Sequence, residues 1–450
     1  MTRSDYLDWQ LGRFSEEPGR TFMVWRDQEF SYGDLATRVK GWGLRLEGEG
    51  VRAGHCVAVA GDYSPESVSC LLALLGKGAI LVPLSRDSED QHESFLRIAE
   101  IDYVVRIDKD DSSRVEFLDF PGDHSLLQQL RENGRPGLIL FSSGSTGDPK
   151  GIVHDLAILL EKFKKPRKSF RTINFLLFDH IGGVNTLFFT LANLGCIVVP
   201  EDRSVGSVCK TIQDHGVELL PTSPSFLNLL LMERDAGEYN LSSLRLITYG
   251  TEVMSERTLE MATKAFPHAR FQQTYGLSEV GILRSKSAGN DSLFVKVGGE
   301  DYETKVVDGT LRIKARTSML GYLNAPSPFD EEGWLDTGDS VVQDGEYYRF
   351  LGRNSDIINV GGQKVYPAEV EKIIAELPEV IDVAVRGEKH LLLGEVVVAT
   401  VQMEYPESPV AMKQKIVQHC KGRLQPFMIP ARVSVVKDSL VNYRYKKIRR

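Results

Sequence analysis

The stretch Ser142–Gly151 (SSGSTGDPKG) holds the residues of this 450-residue chain whose types and spacing best suit chemistry. Small residues let a backbone turn tightly and bring several N–H groups toward one point, a geometry that suits phosphate oxygens. Gly144 and Gly147 supply the turn, Ser142, Ser143, Ser145 and Thr146 add hydroxyl donors, and Lys150 adds a positive charge. The stretch directly follows the apolar run Leu138–Phe141, so it would leave the end of a strand. Its spacing does not match GxxxxGK[ST], which disfavours a Walker-type NTPase. Composition alone also allows a plain tight loop.

SSGSTGDPKG resembles the phosphate-binding loop of the acyl-adenylate-forming superfamily, which comprises acyl- and aryl-CoA ligases, nonribosomal peptide adenylation domains and firefly-type luciferases. Other stretches resemble that family's motifs in the same order: Phe30–Leu35 and Leu71–Leu84, then Gly250–Thr251–Glu252, Gln273–Glu279 (QTYGLSE), Gly309–Leu323, Trp334–Asp339 (WLDTGD) and Gly352–Glu371. The resemblance implies that Gly250, Thr251, Glu252, Gln273, Thr274, Tyr275, Gly276 and Ser278 surround the adenine of ATP. It implies that Glu279 binds Mg²⁺, a cation that prefers hard oxygen ligands. Asp339 would accept both ribose hydroxyls, as an acceptor-only carboxylate can, and Arg353 would add a second ribose contact. Two departures stand out: Ser278 replaces the usual Thr, and Ser355 lies where many relatives carry Asp or Lys.

The family ends near P-x-T-x-x-G-K-x-x-R, and this chain ends VNYRYKKIRR. Alignment on KxxR puts Lys447 on the catalytic lysine and Arg450 on the last Arg, with Val441, Tyr443 and Lys446 in place of Pro, Thr and Gly. Lys446 competes for the role. The implied reaction is attack of a carboxylate on the α-phosphorus of ATP, which needs positioning and charge neutralisation more than covalent help. A thiol, from CoA or a phosphopantetheine arm of a carrier protein, then attacks the acyl-adenylate. Phe175–Asn185 (FLLFDHIGGVN) should line the acid pocket. His180 followed by Ile-Gly-Gly resembles the motif of acyl- and aryl-CoA ligases, whereas Phe178–Asp179 imitates the ammonium-gripping motif of amino-acid-activating relatives. The expected function is therefore an AMP-forming acid–thiol ligase for an aryl or acyl acid. The alternative is a stand-alone enzyme that loads a carrier protein.

The elements that must position these residues read as α/β. Val57–Ala60, Ile80–Leu84, Leu138–Phe141, Cys196–Pro200 and Leu244–Tyr249 read as buried strands, and Ser67–Leu75 and Ser225–Met232 as helices packed on them. Strand–helix alternation implies parallel sheets covered on both faces. From about residue 292 the texture becomes a small antiparallel region, with Asp344–Gly345 as a turn. After Arg353 come a helix around Ala368–Ala375, strands around Val380–Arg386 and Glu395–Gln402, and a helix around Val410–Arg423, a βαβ-like tail. The expected organisation is a large N-terminal ATP- and acid-binding domain of stacked sheets, 1–354, and a small mobile α+β lid, 355–450. Asn354–Asp356 would be the hinge.

Composition narrows the partners. A net charge of −8 leaves no basic footprint for nucleic acid or anionic membrane. Five scattered cysteines, with no CxxC, suit a reducing compartment and buried thiols. No run reaches transmembrane length and the first residues lack a signal-type apolar core, so the expected address is cytoplasmic.

Overall fold

Strands whose alternate residues are both apolar must be covered on both faces, and Cys56–Ala60 shows the consequence. Val57 and Val59 enter one core, whereas Cys56, Ala58 and Ala60 enter another on the opposite face. The computed structural model describes residues 3–118, 120, 122–143, 149–233, 238–442 and 446–448, without the side chains of 3–6 and 143. Two seven-stranded sheets form most of the larger domain. One runs, in spatial order, Arg270–Gln273, Leu246–Tyr249, Leu219–Thr222, Arg171–Ile173, Cys196–Val198, Thr21–Trp25 and Gln28–Ser31. The other runs Gly321–Tyr322, Pro149–Asp155, Gly137–Ser143, Ile80–Leu84, Cys56–Ala60, Tyr103–Ile107 and Ser113–Phe117. Helices Tyr32–Gly48, Pro65–Lys77 and Ile181–Ala192 share the core between them.

The sheets are mixed rather than wholly parallel. Gly137–Ser143 and Pro149–Asp155 pair antiparallel, with Phe141 opposite Gly151 and Ser142 opposite Lys150. A link this short cannot make the crossover of a dozen or more residues that parallel strands require. The same constraint makes antiparallel pairs of Thr21–Trp25 with Gln28–Ser31 and of Tyr103–Ile107 with Ser113–Phe117. A six-stranded antiparallel sheet follows, from Ser285–Ser287 to Tyr347–Arg353, with its own apolar cluster.

Beyond Arg353 a five-stranded sheet packs a separate core with helices Pro367–Ile374 and Pro409–Cys420. Here the expected βαβ order needs correction. Asp382–His390 and Gly394–Gln402 form an antiparallel hairpin, and the parallel crossover comes later, from Gly394–Gln402 through Pro409–Cys420 to Arg432–Val436. The second helix stops at Cys420 rather than Arg423, because Gly422 takes a left-handed φ of +77°. A short hairpin of Ile358–Val360 with Gln363–Val365 went unread in the sequence, its residues being too few to show a period. All five cysteines are free and buried. Among the described residues no helix is long and apolar enough to cross a membrane.

Candidate active site

The first sheet has a point where strand order reverses. From Arg171–Ile173 the chain goes to Cys196–Val198 on one side, then returns to Leu219–Thr222 on the other. Crevices at the carboxyl ends of strands beside such a reversal are where open α/β sheets bind ligands. The loops leaving these ends carry the sequence-selected residues: His180 after the first strand, Gly250–Glu252 after Leu246–Tyr249, and Thr274–Glu279 after Arg270–Gln273.

Segment 274–279 anchors two clusters. In the first, the buried Tyr275 donates its hydroxyl to Asp339 Oδ2 (2.6 Å) and stacks its ring on Phe350 (centroids 4.5 Å apart, planes 20° apart). Arg353 Nε lies 3.3 Å from Asp339 Oδ1. Burial raises the Asp339 carboxyl above the usual range, and the Arg353 guanidinium pulls it partly back. A carboxylate with a polar partner on each oxygen keeps one orientation, and its remaining lone pairs can still accept hydroxyl donors.

In the second, Tyr322 donates to Glu279 Oε1 (2.8 Å), and Lys150 Nζ stands 5.2 Å from the centre of the Tyr322 ring. One tyrosine thus links the Lys150 cation to the Glu279 carboxylate. Neighbouring Asn324 braces the same corner, accepting the Gly151 N–H (3.1 Å) and donating to Pro149 O (2.8 Å). Ser142 is half-buried on its strand and Ser143 ends it. Gly144, Ser145, Thr146 and Gly147 lie outside the described residues. Among the described residues no group of three or more His, Cys, Asp or Glu could hold a metal ion. Glu279 is one hard carboxylate, which suits Mg²⁺, an ion usually held by one or two carboxylates, waters and substrate phosphates.

The loop floor is tightly built. A Cβ on Gly250 would sit 2.6 Å from Thr274 Oγ1, so only glycine allows the two loops to touch. Thr251 adopts φ +72°, a left-handed conformation that β-branched residues rarely take and that clusters at functional sites. Glu252 accepts Ser225 Oγ–H (2.6 Å) on Oε2 and the Lys447 N–H (2.6 Å) on Oε1. Gln273 is buried, with its N–H on Ser287 Oγ (2.9 Å). Ser278 turns its carbonyl to His154 Nε2 (2.6 Å).

His180 is the N-cap of helix Ile181–Ala192, its Nδ1 accepting the Gly182 N–H (3.4 Å). The helix presses close on the preceding loop: a Cβ on Gly183 would lie 1.8 Å from Leu177 O. Buried Asp179 turns to Ser85 and Ser88, accepting both hydroxyls on Oδ2 (2.6 and 3.2 Å). Its other oxygen, Oδ1, is buried with no partner among the described residues.

Sequence reasoning passed over several residues. Tyr322 lies in Gly309–Leu323, a stretch that resembles a structural motif, and Asn324 falls just beyond it. His154 and Phe350 carry no local signal, because their partners are about 124 and 75 positions away. Asn174 Oδ1 and Nδ2 and Thr222 Oγ1, at carboxyl ends of strands, are buried with no partner among the described residues. Such groups are rare enough to mark places where water or a ligand is expected.

Comparison with known proteins reaches the whole chain. The sequence model of the AMP-binding enzymes matches residues 12–323, and that of the AMP-binding enzyme C-terminal domain matches residues 369–447. Indoleacetate–CoA ligase of Aromatoleum aromaticum is 27% identical, the alignment covering 100% of this chain and 97% of the relative. 2-Succinylbenzoate–CoA ligase of Bacillus subtilis is 25% identical, with 95% and 94% covered. Among solved structures, an anthranilate CoA ligase in complex with anthranoyl-AMP superposes with a TM-score of 0.83 at 22% identity, covering 100% of this chain and 96% of that one. An amide bond synthetase of Marinactinospora thermotolerans gives 0.77 at 19%, with 98% of each covered.

Proposed function

The chain belongs to the AMP-binding enzyme family, and from that premise we propose that it joins an aryl or acyl carboxylic acid to a thiol, with ATP cleaved to AMP and pyrophosphate. The observation that carries this reading is the pairing of two clusters on segment 274–279. Tyr275–Asp339–Arg353 suits a nucleoside, and Lys150–Tyr322–Glu279 stands at the base of a glycine- and serine-rich loop. The indoleacetate–CoA ligase of A. aromaticum and the 2-succinylbenzoate–CoA ligase of B. subtilis, matched along nearly their whole length, support the acid class and CoA as acceptor.

In the first step a carboxylate oxygen attacks the α-phosphorus, the bond to the bridging oxygen breaks, and pyrophosphate leaves with the electron pair. Lys150 and the amides and hydroxyls of Ser142–Gly147 hold the departing phosphates. Tyr275, Gln273 and the Gly250–Glu252 loop flank the base, while Asp339 and Arg353 hold the ribose. Glu279 would hold Mg²⁺, which would supply positive charge against the phosphates. A lysine of the terminal Lys446–Lys447 pair supplies the cation that steadies the attacking carboxylate and the α-phosphate. His180 borders the acid.

In the second step the smaller domain turns and a thiol attacks the acyl carbon, displacing AMP. We place the pivot at Ser355–Asp356. Asn354 is tied to the larger domain, accepting Ser340 Oγ–H (2.5 Å) and donating to Thr310 Oγ1 (2.9 Å), so free rotation begins after it. Element-boundary hinges of this kind are usual in domain closure.

The test is carboxylate-dependent exchange of labelled pyrophosphate into ATP over indoleacetate, 2-succinylbenzoate, 4-coumarate and aliphatic acids, followed by thioester formation with CoA. Exchange without CoA thioester would move the acceptor to a carrier-protein arm. No exchange with any acid would sink the reading.

A further inference from the structure

Both terminal lysines satisfy the KxxR spacing: Lys446 with Arg449 and Lys447 with Arg450. Their side chains have different surroundings. Lys447 Nζ lies 2.9 Å from Asp382 Oδ1 and 3.7 Å from Glu371 Oε2, and donates to Val383 O (3.0 Å). All three side chains are largely buried, at 17% exposure for Lys447, 14% for Asp382 and 9% for Glu371. Glu371 is itself fixed, accepting the Val385 N–H on Oε1 (2.9 Å). Lys447 thus neutralises two carboxylates inside the smaller domain. Withdrawing its ammonium would leave both buried without their cation, a costly state.

The backbone around it is held by a tight closure. Asn442 Oδ1 accepts the Lys446 N–H (3.0 Å), the Asn442 N–H reaches Lys446 O (2.9 Å), and Val441 and Lys447 form an antiparallel bridge. In bridged, extended backbone, successive side chains project to opposite faces. With Lys447 directed at Asp382 and Glu371, Lys446 projects away from them. The peptide joining the two lysines stands at the crevice, because the Lys447 N–H bonds Glu252 Oε1 at 2.6 Å.

We infer that Lys446, not Lys447, carries the ammonium to the substrate carboxylate and α-phosphate, and that Lys447 is the positioning residue that docks the terminal segment on the smaller domain. The assignment rests on the adenylation reading above. Lys446 stays protonated throughout: the new oxygen–phosphorus bond forms, the bond to pyrophosphate breaks, and no proton moves.

Pyrophosphate exchange by the full-length protein tests it, using an acid that the unaltered enzyme accepts. Lys446→Ala should lose on the order of 10²–10³ in exchange rate, with an unchanged Tm and undiminished thioester formation from supplied acyl-adenylate. Lys447→Arg, which keeps a cation between the carboxylates, should keep most of the exchange. Lys447→Met should lower Tm, and the Asp382→Asn, Glu371→Gln pair should restore it, since no buried charge then lacks a partner. A folded Lys447→Arg without exchange, or a Lys446→Ala that retains it, would overturn the assignment while leaving the ligase reading intact. An unaltered enzyme with no exchange on any acid would take both down.

Discussion

His154 makes the stability of the crevice dependent on pH. Its side chain is 0% exposed on the strand Pro149–Asp155, and Nε2 faces the Ser278 carbonyl at 2.6 Å. A carbonyl only accepts, so Nε2 carries a ring proton. Burial disfavours the imidazolium and pulls its pKa from 6.5 to about 4, with bonds to Ser278 and Thr317 resisting the fall. Well above pH 6.5 neither folded nor unfolded chain is protonated there, and the group costs no stability. Below it the unfolded chain takes up a proton that the folded chain refuses, until the pH nears 4. Each pH unit in that window costs at most about 1.4 kcal/mol, so the group can remove up to about 3 kcal/mol in all. Urea unfolding of the natural protein and of His154→Gln, which keeps a donor for Ser278, should be compared between pH 7.5 and 4.5. The natural protein should lose up to about 3 kcal/mol more than the variant, since carboxylate titration cancels in the difference. Parallel profiles would refute the reasoning, because they would mean the folded ring takes its proton as readily as the unfolded one.

Three further outcomes follow from the site. Asp339→Asn removes the charge from its bonds with Tyr275 and Arg353, and kcat/KM for ATP in exchange should fall by about 10–100-fold, with the KM for acid little changed. Glu279→Gln should lose on the order of 10²–10³ in exchange rate, and a magnesium titration should shift to higher concentration. Gly183→Ala would drive a Cβ to 1.8 Å from Leu177 O, so its Tm should drop even though no catalytic group is touched, as calorimetry would record.

Much of the arrangement was legible because its chemistry is local in sequence. SSGSTGDPKG, QTYGLSE and WLDTGD each place a turn, a donor and a charge within a few residues, and their resemblance to one family's motifs, in the same order, implied the reaction. The fold brings Tyr275 and Arg353 together on Asp339. Less legible were features made by short links. The antiparallel hairpin that flanks the glycine- and serine-rich stretch, and the reversed order of the tail, follow from connection length rather than from apolar period.

The sequence by itself determined that one chain contains a glycine- and serine-rich loop, a carboxylate at Glu279, another at Asp339 and a terminal pair of lysines. Residue types and spacing suffice for that much. Only the tertiary structure decided that Tyr322 links Lys150 to Glu279, that His154 holds Ser278, and that Asp179 is taken by Ser85 and Ser88. It also decided which lysine faces Asp382 and Glu371. The physical reason is the same in each case. Partners brought together from distant strands leave no period or motif, and the face a side chain takes depends on the register of the backbone beneath it.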